Sequence, residues 1–133
     1  MRSVRLFLAL VVLQICHSCE EFVFRLYDVF PPARFVSELV SADRARGFLI
    51  ANAILITVLL GCYFGPVRNR WRSAPLFMRL WGVIELINGI VHPGWSVYVG
   101  GYMAGTVTAV PLFIVAVLLF RSLLAESLED EDH

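Results

Sequence analysis

Lysine is absent from these 133 residues, and all eleven basic side chains are arginine. Charge of either sign is scarce, at 17% of the chain against the ~25% usual in soluble domains. Between Asp43 and Glu126 the sequence contains a single acid, Glu85. Such a distribution excludes an ordinary soluble domain, whose elements each need a polar, solvated face. Cysteine is limited to Cys16, Cys19 and Cys62. An odd number scattered over apolar segments provides no disulfide framework, and the Cys16/Cys19 pair lacks the βαβ setting of a thioredoxin-like redox motif. Internal repeats and low-complexity runs are also missing.

What is present is apolar surface in long blocks. The chain is 59% hydrophobic with a mean hydropathy of +0.75. Four blocks, about residues 4–24, 47–67, 75–95 and 101–120, approach the ~20 residues that span a hydrocarbon core of ~30 Å. The expected fold is therefore all-α: a polytopic membrane bundle of four transmembrane helices in one domain, residues 1–125. Five of the eleven acids fall in residues 126–133, which read as an acidic cytoplasmic tail. Arg2 and Arg5 before residues 6–15 also fit a secretory signal peptide, but apolar character returns at Phe22, Val23 and Phe24 and favours a retained helix.

The connections carry their own signals. Pro31 and Pro32 break any helix after the first span. Phe35, Val36, Leu39 and Val40 predict a short interfacial helix within residues 35–45. Pro93 and Gly94 predict the end of the third span. Gly101, Gly105 and Ala109 are four apart and allow close helix contact. Trp71, Trp81, Trp95 and Tyr98 suit interface anchors. Arg2, Arg5, Arg68, Arg70, Arg72 and Arg121 all flank one side of four alternating spans. The positive-inside rule puts both termini in the cytoplasm, although Arg25, Arg34, Arg44 and Arg46 in the first loop pull the other way. Arginine without lysine hints at a GC-rich bacterial genome, hence a bacterial cytoplasmic membrane.

The residues that stand out are the polar ones inside apolar helices. In the first span, Glu20 and Glu21 flank His17 within an arc of about 100°. In the third, Glu85, Asn88 and His92 share an arc of about 60°. Facing lipid is costly for such groups, so each stripe should turn into the bundle. Spans one and three run in the same direction, and both stripes fall about 15–25 Å along them. Asn52 and Tyr102 come early in the oppositely directed spans and reach the same layer, with Thr106 and Thr108 slightly deeper. Three chemistries are open to this layer. His17, Glu21, Glu85 and His92 could ligate a divalent metal such as Zn, Fe or Mn, although neither E-x-x-H nor H-E-x-x-H occurs. His17, Glu20, Glu21, Glu85 and His92 could act as general acids and bases without metal. The same groups could also serve as hydrogen-bonding glue between helices.

Within the first stripe, His17-Ser18-Cys19-Glu20-Glu21 fits an H-x-x-E-E signature. The chain resembles the HXXEE family of small membrane proteins, which share that motif, a further histidine and a Y-x-P-G motif. His92 is similar to the further histidine. Tyr102-Met103-Ala104-Gly105 is similar to the last motif, with Ala104 where the family has proline. Phe30-Pro31 also suits the family, and the resemblance covers about residues 17–112. It implies a four-span protein with a site at these positions and names no reaction. A looser architectural likeness is to membrane sterol isomerases, which shuttle protons with intramembrane His and Glu. The resulting expectation is an intramembrane enzyme, metal-dependent or acid–base, acting on a lipid-soluble substrate. In it His17, Glu20, Glu21, Glu85 and His92 are catalytic, and Asn52, Asn88, Tyr102 and Thr106 surround the substrate. The alternative is a non-catalytic membrane component: a small-solute or proton pathway, or a subunit of a larger assembly.

Overall fold

The computed structural model describes residues 1–131, which are almost wholly helical and include no strand. Helix α1 runs Arg2–Val23 and stops where Arg25 takes a left-handed conformation (φ 57°). A single turn, α2 (Leu26–Val29), leads into α3 (Pro31–Val40). Pro31 does not break α3 but starts it, because at the first helical position a missing N–H has no partner to lose. Asp43 then caps α4 (Arg44–Cys62), its carboxylate accepting from the Arg46 amide at 3.1 Å. A π-helical turn, Tyr63–Val67, carries Pro66 and closes that span. Helices α5 (Ala74–Val99) and α6 (Thr106–Glu131) complete the chain. Four helices, Arg2–Val23, Arg44–Val67, Ala74–Val99 and Thr106–Glu129, are long and apolar enough to cross a membrane. The chain is a four-helix membrane bundle by that measure.

Helix α6 is the centre of the packing, lying against both α1 and α5. Its fit to α5 is antiparallel and set by glycines. A Cβ at Gly82 would stand 2.8 Å from the Phe120 ring, and one at Gly89 would collide with Phe113. Both hollows are seven residues apart, as are the rings that fill them. The same register brings Ser96 Oγ to Thr106 Oγ1 at 3.0 Å. Small residues thus let two backbones approach, as membrane helices require in the absence of a hydrophobic drive between them. One half of the bundle is dry: Phe7, Leu10, Leu59, Met78, Leu112 and Leu119 are fully buried together. Ser3, at the start of α1, donates through its hydroxyl to Glu126 at 2.7 Å and ties that end to α6. The span Arg44–Val67 is the least buried of the four, at 17% against 39% for α1. Helix α3 packs on α4 with its Ser37 backbone against Gly47, and leaves Phe35, Val36 and Leu39 exposed, as an interfacial helix would.

Two helices differ at their ends from the sequence expectation. Pro93 does not end α5, which continues to Val99. Pro93 lacks the N–H that would reach the Gly89 carbonyl, a loss that membrane helices tolerate, and the helix beyond it is tied to the start of α6 by Ser96 Oγ against Thr106 Oγ1 at 3.0 Å and by the Thr106 hydroxyl donating to the His92 carbonyl at 3.3 Å. Helix α6 starts five residues later than predicted and runs past Arg121. Residues 100–105 instead form a turn, held open by Gly100 (φ 70°) and Gly105 (φ 89°), conformations that hydropathy does not register. Of the acidic tail, Glu126 and Glu129 are helical and Asp132 lies outside the described residues.

Candidate functional site

The buried face of α1 carries Gln14, His17 and Glu21 at spacings of three and four, in line with Phe7 and Leu10 below them. Opposite, α5 presents Glu85 and His92. Where the stripes meet, the His17 and His92 rings pack edge to face with centroids 4.7 Å apart. Glu21 Oε1 lies 3.3 Å from His17 Nε2 and 3.2 Å from His92 Nε2. One ligand-type atom from each of these three buried residues lies within 4.8 Å of the other two.

The hydrogen bonds around the rings assign their protons. His92 Nδ1 is 2.8 Å from the Ala104 carbonyl, which only accepts, so Nδ1 carries the hydrogen. His17 Nδ1 is 2.8 Å from Thr108 Oγ1. That hydroxyl has one hydrogen, and it goes to the Glu20 carboxylate at 2.5 Å, so His17 Nδ1 must donate to it. On a neutral ring each Nε2 is then a bare lone pair. His17 Nε2 is buried and makes no hydrogen bond. Two lone pairs and a carboxylate oxygen converge, and all three are electron-rich. Only a cation between them, a proton or a metal ion, turns this repulsion into attraction.

Glu20 and Glu21, neighbours in sequence, have separate tasks. Glu20 points away from the rings to the start of α6. Its carboxylate accepts from the amides of Gly105 (3.1 Å), Val107 (3.2 Å) and Thr108 (2.9 Å), and from the Tyr102 and Thr108 hydroxyls. An anion there satisfies the unpaired N–H groups of a helix N-terminus and its dipole. The backbone turn before α6 also touches the rings. A Cβ on Gly105 would sit 2.7 Å from His92 Nδ1 and 2.8 Å from His17 Cε1, so only glycine fits.

Glu85 is fully buried and stands beside the three-residue cluster, within electrostatic reach of His17, Glu21 and His92. Asn88 Nδ2 donates to it at 3.1 Å. Gln14, with its amide oriented to suit its neighbours, donates to both Glu85 oxygens at 3.0 Å and accepts from Ser18 Oγ at 3.2 Å. Asn52 bonds its own helix at the Phe48 carbonyl and lines a cavity that reaches Glu21 and His92. Thr106 serves the α5–α6 contact through Ser96 and the His92 carbonyl, not the rings. Of the sequence-predicted residues, His17, Glu21 and His92 thus come together, with Glu85 and Asn88 alongside and Glu20 and Tyr102 at the helix cap. Gln14 was missed, although its place three residues before His17 put it on the same stripe. Phe30, whose ring centroid lies 6.2 Å from that of His92, was missed as a site neighbour because nothing in its spacing links it to α5.

No family model, curated protein or solved structure matches this chain.

Proposed function

We propose that this chain is an intramembrane metalloenzyme: His17 Nε2, His92 Nε2 and the Glu21 carboxylate hold one divalent ion, and the substrate is lipid-soluble. The observation that carries this is the convergence of two imidazole Nε2 atoms on one carboxylate, 3.2 and 3.3 Å away. Two histidines and a carboxylate form the donor set of hydrolytic zinc sites and of non-haem iron sites, and manganese also accepts such ligands. Three protein ligands leave positions free for water or substrate, which distinguishes a catalytic site from a closed structural one. The hydrogen bonds from Nδ1 to Ala104 and Thr108 are the outer contacts that orient metal-bound histidines. Glu85, buried beside the cluster on Gln14 and Asn88, is the proton carrier. In the metal-free version of this chemistry a proton occupies the same gap and His17, His92 and Glu21 work as acid and base.

A transmembrane solute or proton pathway is the weaker reading. On the side of the bundle beyond Gln14 the interior is closed by Phe7, Leu10, Leu112 and Leu119, all fully buried. The same proposal takes the chain as an HXXEE-like protein, with the arginine-rich ends of α1 and α4 in the cytoplasm and bacteria as its source.

Metal analysis of protein purified in detergent, before and after loading with Zn(II), Fe(II) or Mn(II), tests this. The expected result is about one ion per chain, with affinity falling more than about 100-fold in His17→Ala and His92→Ala, beyond what outer-contact changes produce. Glu85→Gln should keep the ion and lose turnover. An unmutated protein that takes up no ion under any loading would remove the metalloenzyme and leave the acid–base site.

A further inference from the structure

The cluster is reached by a cavity of about 380 Å³ between α3, α4 and α5. Glu21 and His92 are its ionisable lining, Phe48, Ala51 and Leu55 of α4 are apolar lining, and Asn88 of α5 lines it too. Helix α4 is held by α3 and α1 and scarcely touches α5. The cavity therefore occupies the gap that α4 and α5 leave between them. Its volume sits near the lower end of the ~300–1,000 Å³ typical of ligand pockets, enough for one alkyl chain and too small for a two-chain phospholipid.

The polar end discriminates by chemistry. No arginine lines the cavity, and a carboxylate does, so a phosphate or carboxylate head would find no cationic side chain in its wall to pair with. The Asn52 amide nitrogen is used on the Phe48 carbonyl and that of Asn88 on Glu85, each at 3.1 Å. No described residue donates to either amide oxygen. Two acceptors beside the cluster call for a donor on the occupant. Resting on the reading of Glu21 and His92 as the reactive end, we infer that the substrate is an uncharged, single-chain lipid whose head donates hydrogen bonds, a long-chain alcohol or amide, entering sideways between α4 and α5.

Three photoreactive probes with the same medium-length chain test this on the full protein in zwitterionic nanodiscs: a primary alcohol, its methyl ether and the corresponding carboxylate, each with a terminal diazirine. The alcohol is expected to label peptides of α4 and α5 roughly tenfold more than the other two, the preference set by hydrogen bonds to the Asn52 and Asn88 amide oxygens. Asn52→Leu should cut alcohol labelling to the level of the ether and leave the ether unchanged. Ala51→Trp should fill the cavity and abolish specific labelling, with monodisperse elution showing that it folds. Equal labelling by alcohol and ether, or labelling that survives Ala51→Trp, would overturn the assignment. Metal content measured on the same samples separates the two proposals. The expected labelling on ion-free protein upholds the lipid class while removing the metal, and bound ion with indifferent labelling does the reverse.

Discussion

Along one face of α1, Phe7, Leu10 and Val11 join the dry core with Leu59, Leu112 and Leu119, while one and two turns further on Gln14, His17 and Glu21 meet Glu85, Thr108 and His92. The helix is the same and so is the degree of burial: Leu10 is 0% exposed and His17 1%. The first half needs only shape, because apolar side chains in a membrane gain by close packing. The second half needs every polar atom answered, since an unanswered one in low dielectric is costly. Among the described residues the one buried side-chain polar atom without a hydrogen bond is His17 Nε2, which faces the Glu21 carboxylate at 3.3 Å. On the function proposed above, that unanswered nitrogen is what separates a binding site from a packing motif.

That contrast can be broken most directly from the dry side. Leu10→Ala removes a fully buried side chain and should cost about 2–5 kcal/mol of stability through the cavity it leaves, read as a lower unfolding midpoint in detergent. Bound metal per folded chain should not change. A variant that lost its ion while staying folded would show that the two halves are one cooperative unit. The converse change is Thr108→Val, which keeps the volume but deletes the hydroxyl between His17 and Glu20. Its main effect should be on the ion, with affinity about 10–100-fold weaker, measured by chelator competition.

The sequence displays the dry half and the polar half unequally. Four apolar blocks and their alternation are enough to find the spans, because hydropathy reports length and composition directly. The helical period also placed His17, Glu21 and His92 in one layer. It could not separate Glu20 from Glu21, which flank His17 at similar angles. Only the turn at residues 100–105, built on Gly100 and Gly105, brings the α6 N-terminus to Glu20 and leaves Glu21 to the rings. Nor could the period pair Glu85 with Gln14. Its partner Gln14 belongs to α1, and which of two facing stripes supplies a partner is a matter of tertiary register that periodicity does not contain. Pro93 marked a helix end by propensity, yet α5 continues through it to Val99 with its last turns tied to Thr106.

A smaller effect belongs to the rim of the polar half. Tyr102 is more than half exposed, and it donates its hydroxyl to Glu20. Partial burial and this bond to a carboxylate push its phenol up to about 12. A raised phenol stabilises the fold in its neutral form, so the contribution is complete below the ordinary value of 10.0 and disappears as pH rises through about 12. Tyr102→Phe should cost about 0.5–1.5 kcal/mol near neutral pH and flatten the alkaline limb of a stability-against-pH curve. Metal content should stay unchanged, because the backbone amides still hold Glu20.

The smallest effect is expected outside the bundle, at the connection between α3 and α4. Glu38 accepts from Arg44 Nε at 2.6 Å and from Arg34 Nε at 3.3 Å. The Arg44 guanidinium first, then Arg34, holds the carboxyl below its usual range. A depressed carboxylate stabilises the folded form at pH values above the ordinary carboxylate range, and the gain is lost as pH falls through the lowered value. Glu38 and Arg34 are exposed and Arg44 is half-buried, so screening and side-chain entropy absorb most of the attraction. Glu38→Gln should therefore leave the unfolding midpoint at neutral pH and moderate salt unchanged, and differ from the unmutated protein only by a shallower loss of stability on acidification at low salt. If this exposed pair proved as costly to break as Thr108, burial would not be what separates the polar groups of the site from those of the surface.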